Sequence, residues 1–403
     1  MLDRWTTARL PRASQSSPVL CQAGQIVFAA TGIVRSTGGI QSANRNVLHA
    51  LGALAGEAGA ELAVLVMHED AGFGRRTEDG TYFTEATFAG RRVPMAAAIA
   101  RAILSARLVV FDHVDLARPM ALMGRLPARL RAKTVILAHG SESWKRVRPV
   151  SKAAYRAADC VLTNSNHTLG RMEATFDGFH GVACPLGLAP QYSLTGAPPK
   201  RSQNRPTFTA ADGTSRPISE RAMMLVGRLD TGEREKGHRE LIAALPDVLS
   251  VVPNADLIFV GSGNDLEPLR AEVATLPAAG HIFVPGRLSD EELTTLYGAA
   301  YAYVMPSRQE GFGLVHLEAM NHALPCLACR EDGAADVVAD GKTGILVGQP
   351  IDHGELVGAL IALLTDADRA RAMGVAGWHH LQHHFTAQAH QARVVDALSS
   401  LLS

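Results

Sequence analysis

Two glutamates, Glu310 and Glu318, stand eight positions apart around a glycine-containing turn in the segment EGFGLVHLEAM. Gly311 and Gly313 allow the backbone to approach a ligand closely and to adopt conformations that other residues avoid. The helix predicted over 314–322 would direct free N–H groups and its positive dipole end toward that ligand. Phosphate fits this environment, and carboxylates beside a phosphate suit sugar hydroxyls or a developing cation.

A second set of candidates follows the apolar run 223–226, which is predicted to be a strand. Gly227 and Arg228 come directly after it, and Lys236 precedes a helix predicted over 239–252. Arginine can bind two phosphate oxygens through its planar guanidinium, and lysine supplies a compact positive charge. Together they could neutralise a leaving diphosphate, although surface arginines and lysines without any ligand are common.

The first half of the chain offers weaker candidates. Gly38 and Gly39 lie between the first predicted strand and helix, where backbone N–H groups could meet a phosphate, although a plain tight turn explains them equally well. His139 ends a predicted strand, and its imidazole could donate to a sugar hydroxyl or to an oxygen that develops charge. A purely structural histidine is an equally good interpretation.

The sequence predicts no metal site. No Asp-x-Asp pair follows a predicted strand, which is where a metal–diphosphate site would need one. The charge of a leaving group would then fall to Arg228, Lys236 and backbone amides.

Short apolar segments alternate with helical patterns along both halves of the chain. This alternation predicts an α/β fold with parallel sheets covered by helices on both faces. We expect two doubly wound, Rossmann-like domains, at 25–195 and 221–373, that face each other across a cleft. A polar, proline-rich linker at 196–220 would join them, after a disordered lead-in at 1–24. The segment from 367 to 402 is predicted to be helical.

Charge and composition exclude several functions. With 39 basic and 39 acidic residues the formal net charge is zero, which argues against a nucleic-acid partner. No apolar run is long enough to span a bilayer, and the N-terminus lacks the apolar core of a secretory signal. Five scattered cysteines fit a reducing compartment, so we expect a cytoplasmic protein.

Basic residues in 75–92 and 125–133 suggest an anionic or membrane-borne acceptor and peripheral contact with the inner membrane face. Such charges are more often those of a solvated loop, which is the interpretation that the sequence favours. The sequence gives no indication of the oligomeric state.

The segment EGFGLVHLEAM resembles the E-x7-E signature of the retaining, GT-B-fold nucleotide-sugar glycosyltransferases of family four, the glycosyl transferases group 1. VGRLDTGEREKGH, LIFVGSG, VPGRLSDEEL and DGKTGILV resemble further parts of the family pattern. The similarity covers most of 222–348 and is thinner over 25–190. It implies a GT-B architecture in which a C-terminal helical segment, 374–403, crosses back to pack on the first domain.

The resemblance also implies a role for each matching residue. Glu310 would contact the donor sugar and Glu318 the ribose hydroxyls, while Arg228 and Lys236 would stabilise the departing diphosphate. His139 would face the donor sugar near the transferring carbon. Further donor contacts, mainly through the backbone, would come from Gly38, Gly39, Gly227, Arg287, Leu288, Gly311, Phe312, Gly313 and Leu314.

The activity implied is retaining hexosyl transfer from a UDP- or GDP-sugar to a carbohydrate or lipid-linked acceptor, in polysaccharide, glycolipid or other glycoconjugate biosynthesis. No cofactor and no metal are expected. A sugar-nucleotide epimerase of the same fold and a nucleotide-sugar-binding subunit without activity are the alternatives. The presence of Glu310, Glu318, Arg228 and Lys236 argues against lost activity.

Overall fold

The computed structural model describes residues 22–33, 39–189, 192, 194 and 196–402. Most of the expected lead-in at 1–24 and the candidate Gly38 therefore lie outside the described residues. The described chain forms two predominantly parallel sheets flanked by helices, which confirms the expected α/β class.

The first sheet has eight strands in the order β3-β4-β2-β1-β5-β6-β7-β8, and neighbouring strands are parallel except for β3 and β4. Its strands are β1 Ile26–Ala30, β2 Leu62–Val66, β3 Gly72–Glu78, β4 Thr81–Thr87, β5 Leu108–Phe111, β6 Lys133–Ala138, β7 Cys160–Thr163 and β8 Gly181–Ala183. The helices of this half are α1 Gly39–Glu57, α2 Arg92–Ser105, α3 Met120–Met123, α4 Pro149–Ala157 and α5 Asn166–Thr175.

A short hairpin of β9 Thr207–Thr209 and β10 Ser215–Pro217 precedes the second sheet. The six parallel strands of that sheet are β11 Arg221–Val226, β12 Ala255–Val260, β13 Ile282–Gly286, β14 Ala302–Val304, β15 Cys326–Cys329 and β16 Gly344–Val347. Its helices are α6 His238–Val251, α7 Leu266–Ala274, α8 Asp290–Ala299, α9 Leu314–Asn321 and α10 His353–Thr365, followed by α11 Ala367–His384 and α12 Ala387–Leu402.

The strand order explains where ligand-binding loops can converge. The second sheet runs β13-β12-β11-β14-β15-β16, so the direction of winding reverses between β11 and β14. In the first sheet the reversal falls between β1 and β5. Loops diverge at such a point and leave a crevice at the carboxyl ends of the strands.

Helices on both faces account for the apolar strand sequences that the alternation predicted. Every residue of β1, β2, β5 and β7 is buried, and so is every residue of β12, β14 and β15. A parallel strand covered on both faces needs a continuous apolar run rather than an alternating one. These strands therefore form the rigid base from which the polar loops project.

The segment expected to be a linker, 196–220, is in part packed structure. The hairpin of β9 and β10 lies against the second sheet, where Ala211 N donates to Ile282 O at 2.8 Å. Arg216 donates from both terminal nitrogens to the fully buried carboxylate of Asp256, at 2.7 and 2.9 Å. The polar composition of the segment concealed this pairing, because its partner lies 40 residues away in a buried strand.

The basic stretch 75–92, for which a solvated loop was the favoured interpretation, instead contains most of the antiparallel pair of β3 and β4 and the first residue of α2. Arg76 Nε lies 2.5 Å from Glu85 Oε2 across this pair. Part of the positive charge of this stretch is therefore neutralised within the hairpin.

The C-terminal segment forms two helices rather than one. Thr386 Oγ1 accepts a hydrogen bond from Ala389 N at 3.1 Å and thereby caps α12. α11 packs on α9, whereas α12 packs on α1 of the first half. Arg393 Nη2 donates to Pro185 O at 2.7 Å and secures the crossing, so the expected return of the C-terminal helix is confirmed.

Candidate functional site

The carboxyl edge of the second sheet carries most of the candidates. Gly227 and Arg228 follow β11, the loop 305–313 follows β14, and Arg287 and Leu288 follow β13. β11 and β14 flank the reversal of strand order, which is the preferred ligand site of an open α/β sheet. The side chains of Arg228 and Arg287 are exposed there, and Leu288 is partly buried.

Lys236, at the end of a short 3-10 helix after β11, forms an ion pair with Glu310, in the loop after β14. Lys236 Nζ lies 3.4 Å from Glu310 Oε2, and the two side chains are 20% and 21% exposed. The lysine stem runs beside Gly227, where an added Cβ would lie 3.0 Å from Lys236 Cδ. The backbone after β11 therefore holds the ammonium group against the carboxylate that follows β14.

The turn after Glu310 leads directly into α9. Gly313 has a φ of 96°, a left-handed conformation that favours glycine, and it immediately precedes Leu314 at the start of the helix. Phe312 is buried with its ring 5.9 Å from that of Phe385. The free N–H groups of the first helical turn consequently emerge at the carboxyl edge beside the ion pair.

The same turn touches the first half of the molecule. Gly311 O accepts hydrogen bonds from Ser165 Oγ at 2.6 Å and from Thr168 Oγ1 at 3.3 Å. Lys145 Nζ donates to Gln309 Oε1 at 2.8 Å. The loops that follow β6 and β7 therefore hold the turn that follows β14. We call this contact between the two halves the seam, and the candidate site lies beside it.

Close packing at the seam requires glycine at 311. A Cβ there would overlap His139 O and would lie 3.0 Å from Gly140 Cα and 3.2 Å from Asn164 Nδ2. These three atoms all belong to the first half of the molecule. Contact between the two halves, rather than a special backbone conformation, is therefore what excludes a side chain.

His139 follows β6, and its backbone oxygen packs against Gly311 in the Glu310 turn. Its Nε2 lies 2.8 Å from Asp112 O. Because a carbonyl oxygen can only accept, Nε2 carries the proton, and Nδ1 of the neutral ring is an acceptor. The predicted donation to a sugar oxygen therefore requires a protonated imidazole, whereas the neutral ring can accept from a sugar hydroxyl.

A buried carboxylate organises the loops after β1 and β5. Asp112 Oδ2 accepts from Thr31 N and Thr31 Oγ1, both at 2.6 Å, and from Asn44 Nδ2 at 2.8 Å. Burial raises the pKa of Asp112. Gly39 is the first residue of α1, while its predicted partner Gly38 lies outside the described residues.

Two tyrosines, which sequence reasoning missed, contact Glu318. Tyr192 donates to Glu318 Oε1 at 2.8 Å, and Tyr297 donates to Glu318 Oε2 at 3.0 Å. Burial raises the pKa of Glu318 and of both phenols. Tyr297 lies on α8, and Tyr192 lies on the connector between β8 and β9. Nothing in the local sequence connects either with Glu318.

A further missed carboxyl group lies beside the Glu310 turn. Asp332 is almost wholly buried, and its Oδ1 accepts from Ala334 N at 2.9 Å. Its Oδ2 has no hydrogen-bond partner among the described residues. The neighbouring Gly333 N donates to Glu310 O at 2.8 Å. Burial is the main cause that raises the pKa of Asp332 to about 8, and the charge of Glu310 acts in the same direction.

Comparisons with known proteins agree with this arrangement. The family model of the glycosyl transferases group 1 matches residues 216–379. A GDP-mannose-dependent alpha-(1-6)-phosphatidylinositol monomannoside mannosyltransferase of Mycolicibacterium smegmatis is 33% identical over 300 residues, which cover 70% of this chain and 74% of that protein. A GDP-mannose-dependent monoacylated alpha-(1-6)-phosphatidylinositol monomannoside mannosyltransferase of Corynebacterium glutamicum is 30% identical over 298 residues, with the same coverage.

Among solved structures, a sucrose-phosphate synthase of Thermosynechococcus elongatus superposes with a TM-score of 0.69 at 20% identity. The superposition covers 94% of this chain and 99% of that one. At this identity the likeness bears on the fold alone, and it confirms the GT-B architecture.

Replacing Gly311 by alanine tests the seam. The added Cβ would push the Glu310 turn away from His139 O, and a displacement of about 1 Å can lower a rate roughly 100-fold. We expect kcat/KM to fall by about that factor in a steady-state transfer assay. Gly358→Ala in α10 is the matched control, since a Cβ there meets nothing within 4 Å. Equal activity of both variants would show that the seam is not part of the active conformation.

Replacing Asp332 by asparagine tests its raised pKa. The folded protein keeps the carboxyl protonated up to a pH of about 8, whereas the unfolded chain ionises near about 4. The contribution of this group to the stability of the folded protein therefore falls progressively as the pH rises from about 4 to about 8. An asparagine side chain at this position can keep the cap without titrating, so the variant should gain stability relative to wild type between about pH 5 and about pH 8.

Scanning calorimetry at both pH values measures this difference, with Asp352→Asn, an exposed helix cap, as the control. Parallel pH curves for wild type and Asp332→Asn would contradict the assignment.

Proposed function

The chain belongs to the glycosyl transferases group 1 family, and on this basis we propose that it transfers a hexosyl group from GDP-mannose or a related nucleotide sugar to a lipid-linked acceptor, with retention of configuration. The two mannosyltransferase relatives support GDP-mannose as donor and a phosphatidylinositol glycolipid as acceptor. The observation that carries the proposal is the contact between Lys236 and Glu310 beside the start of α9.

Cleavage of a sugar–diphosphate bond separates charge. The departing diphosphate gains negative charge, and the sugar ring gains positive charge. Lys236, Arg228 and the N–H groups at the start of α9 supply positive potential on one side of that bond. Glu310, 3.4 Å from the ammonium, supplies a carboxylate for the sugar on the other side. Adjacent groups of opposite sign match the polarity of the bond that breaks.

The remaining donor contacts follow the same edge of the sheet. Glu318 binds the ribose hydroxyls, and the backbone of Arg287 and Leu288 meets the base. Nδ1 of neutral His139 accepts from a hydroxyl of the donor sugar. These assignments draw on the family resemblance and on the placement of all four residues at the carboxyl edges that meet at the seam.

Replacing Lys236 by alanine tests the proposal. Removing one preorganised positive charge that stabilises a leaving group lowers kcat roughly 100- to 1000-fold. We expect a loss of that size in transfer of labelled mannose from GDP-mannose to a phosphatidylinositol mannoside. Lys342→Ala is the matched control, because Lys342 precedes β16 at the opposite edge of the sheet.

The donor itself is checked first by the rise in melting temperature with GDP-mannose and with UDP- and ADP-sugars. A Lys236→Ala enzyme that turns over its best-bound donor as fast as wild type would refute this charge assignment.

A surface segment of the first half supports contact with the membrane that holds such an acceptor. Within 118–131 the side chains of Leu122 and Leu130 are 74% and 54% exposed, and the exposed Arg125 and Arg129 lie between them in the sequence. Exposed leucines beside arginines suit the boundary of an anionic bilayer. No helix among the described residues is both long and apolar enough to cross a membrane.

The double variant Leu122→Ser/Leu130→Ser tests this surface. We expect it to bind vesicles of phosphatidylcholine and phosphatidylinositol several-fold more weakly than wild type in a co-sedimentation assay. Val251→Ser, which removes an exposed apolar side chain from the second half, should bind like wild type. If all three proteins bind equally, the membrane contact lies elsewhere.

A further inference from the structure

Asp336, a residue of the second half, binds the start of a helix that belongs to the first half. Its Oδ2 accepts a hydrogen bond from the backbone N of Asn166, the first residue of α5. The first N–H groups of a helix have no acceptor within that helix, and the helix dipole favours a carboxylate at this end. Asp336 therefore caps α5 from across the seam.

The short 3-10 helix Gly333–Asp336 makes this contact and is also joined to the Glu310 turn. Gly333 N, at the start of the 3-10 helix, donates to Glu310 O at 2.8 Å. A Cβ on Gly333 would overlap Gly311 O, so the 3-10 helix packs directly on the turn. One element of four residues therefore holds Glu310 at its start and α5 at its end.

Three consecutive residues after β7, Asn164, Ser165 and Asn166, join the two halves. Asn164 Nδ2 donates to the backbone oxygen of His139. Ser165 Oγ donates at 2.6 Å to the backbone of the turn that precedes α9, and Asn166 supplies the N–H that Asp336 accepts. The segment 164–166 is therefore bonded to His139 in the first half and to two separate points in the second half.

The groups that the proposed function assigns to the donor come from different halves. Lys236, Glu310 and the start of α9 all belong to the second half, so a nucleoside diphosphate can bind to that half alone. His139 belongs to the first half, and contacts across the seam must place it beside the sugar. Small errors in such an alignment lower the rate of reaction without weakening the binding of the nucleotide.

We propose that Asp336 is a positioning residue of the transfer reaction, which fixes the segment 164–166 on the second half and thereby sets His139 against the sugar that Glu310 contacts. This inference rests on the proposed function, because it takes His139 and Glu310 as ligands of the donor sugar. Asp336 acts without touching the donor. It raises the fraction of donor-loaded enzyme in which the two halves are aligned for reaction.

Replacing Asp336 by alanine removes the acceptor of the Asn166 N–H group. We expect kcat for transfer from GDP-mannose to fall roughly tenfold, as the loss of one charge-assisted hydrogen bond would cause. The Kd for GDP in isothermal titration calorimetry should stay at the wild-type value, because the nucleotide meets only the second half. Asp368→Ala, which removes an exposed carboxylate from α11, is the matched control and should leave both quantities unchanged.

The conservative variant Asp336→Asn keeps an oxygen acceptor but loses the charge at the start of α5. It should recover most of the activity and remain roughly two- to fivefold below wild type in kcat, with an unchanged Kd for GDP. If the alanine variant does not fold, this comparison decides the question, and a wild-type kcat in Asp336→Asn would then count against the inference.

Hydrogen–deuterium exchange adds a measurement that does not depend on turnover. Peptides covering 164–168 should exchange faster in Asp336→Ala than in wild type or in Asp368→Ala. Faster exchange with an unchanged kcat would make Asp336 a structural cap and overturn the inference. A rise in the Kd for GDP that matches the loss of kcat would also overturn it, because Asp336 would then act on the donor site itself.

Failure of wild type to bind any nucleoside diphosphate would instead overturn the proposed function. The exchange measurement would still show whether Asp336 holds α5, so the two failures are distinguishable.

Discussion

The contact of the Gly311 turn with the loops of the first sheet is the constraint on which the site depends. Within the second half, the turn is fixed by the hydrogen bond from Gly333 N to Glu310 O and by the left-handed conformation of Gly313. From the first half, Ser165 donates a hydrogen bond to Gly311 O. Glu310 and the first N–H groups of α9 belong to this turn, and His139 is packed against it. Their relative positions therefore follow from a single packing contact in which no side chain can be added.

Electrostatics at the seam follow from burial. Carboxyl groups are costly to bury unless they are paired or protonated. Glu310 has Lys236, Glu318 has two phenols, and Asp332 keeps its proton because burial raises its pKa to about 8. The seam thus concentrates acidic groups whose charge is paired, hydrogen-bonded or removed by protonation. An anionic ligand can enter without facing several unpaired carboxylates at once.

The C-terminal helices connect the Glu310 turn with the first half of the molecule. α11 packs on α9 behind the Glu310 turn, and α12 returns to α1. The junction between them contacts both halves, through Phe385 on Phe312 and through Leu188 N on Phe385 O at 2.7 Å. The connector that carries Tyr192 starts beside this junction. The helices and the connector therefore link the same two surfaces that meet at the seam.

The amino-acid sequence by itself determined the α/β class, the strands at the two carboxyl edges, and the placement of Glu310, Lys236 and Arg228 after strands β11 and β14. These features are local, because a buried parallel strand needs a continuous apolar run and glycine tolerates a left-handed turn. Only the tertiary structure decided that Tyr192 and Tyr297 engage Glu318, that Asp332 is buried beside Glu310, and that 207–217 pairs with the second sheet. Those partners lie tens to more than a hundred residues apart, and close packing rather than any local pattern selects them.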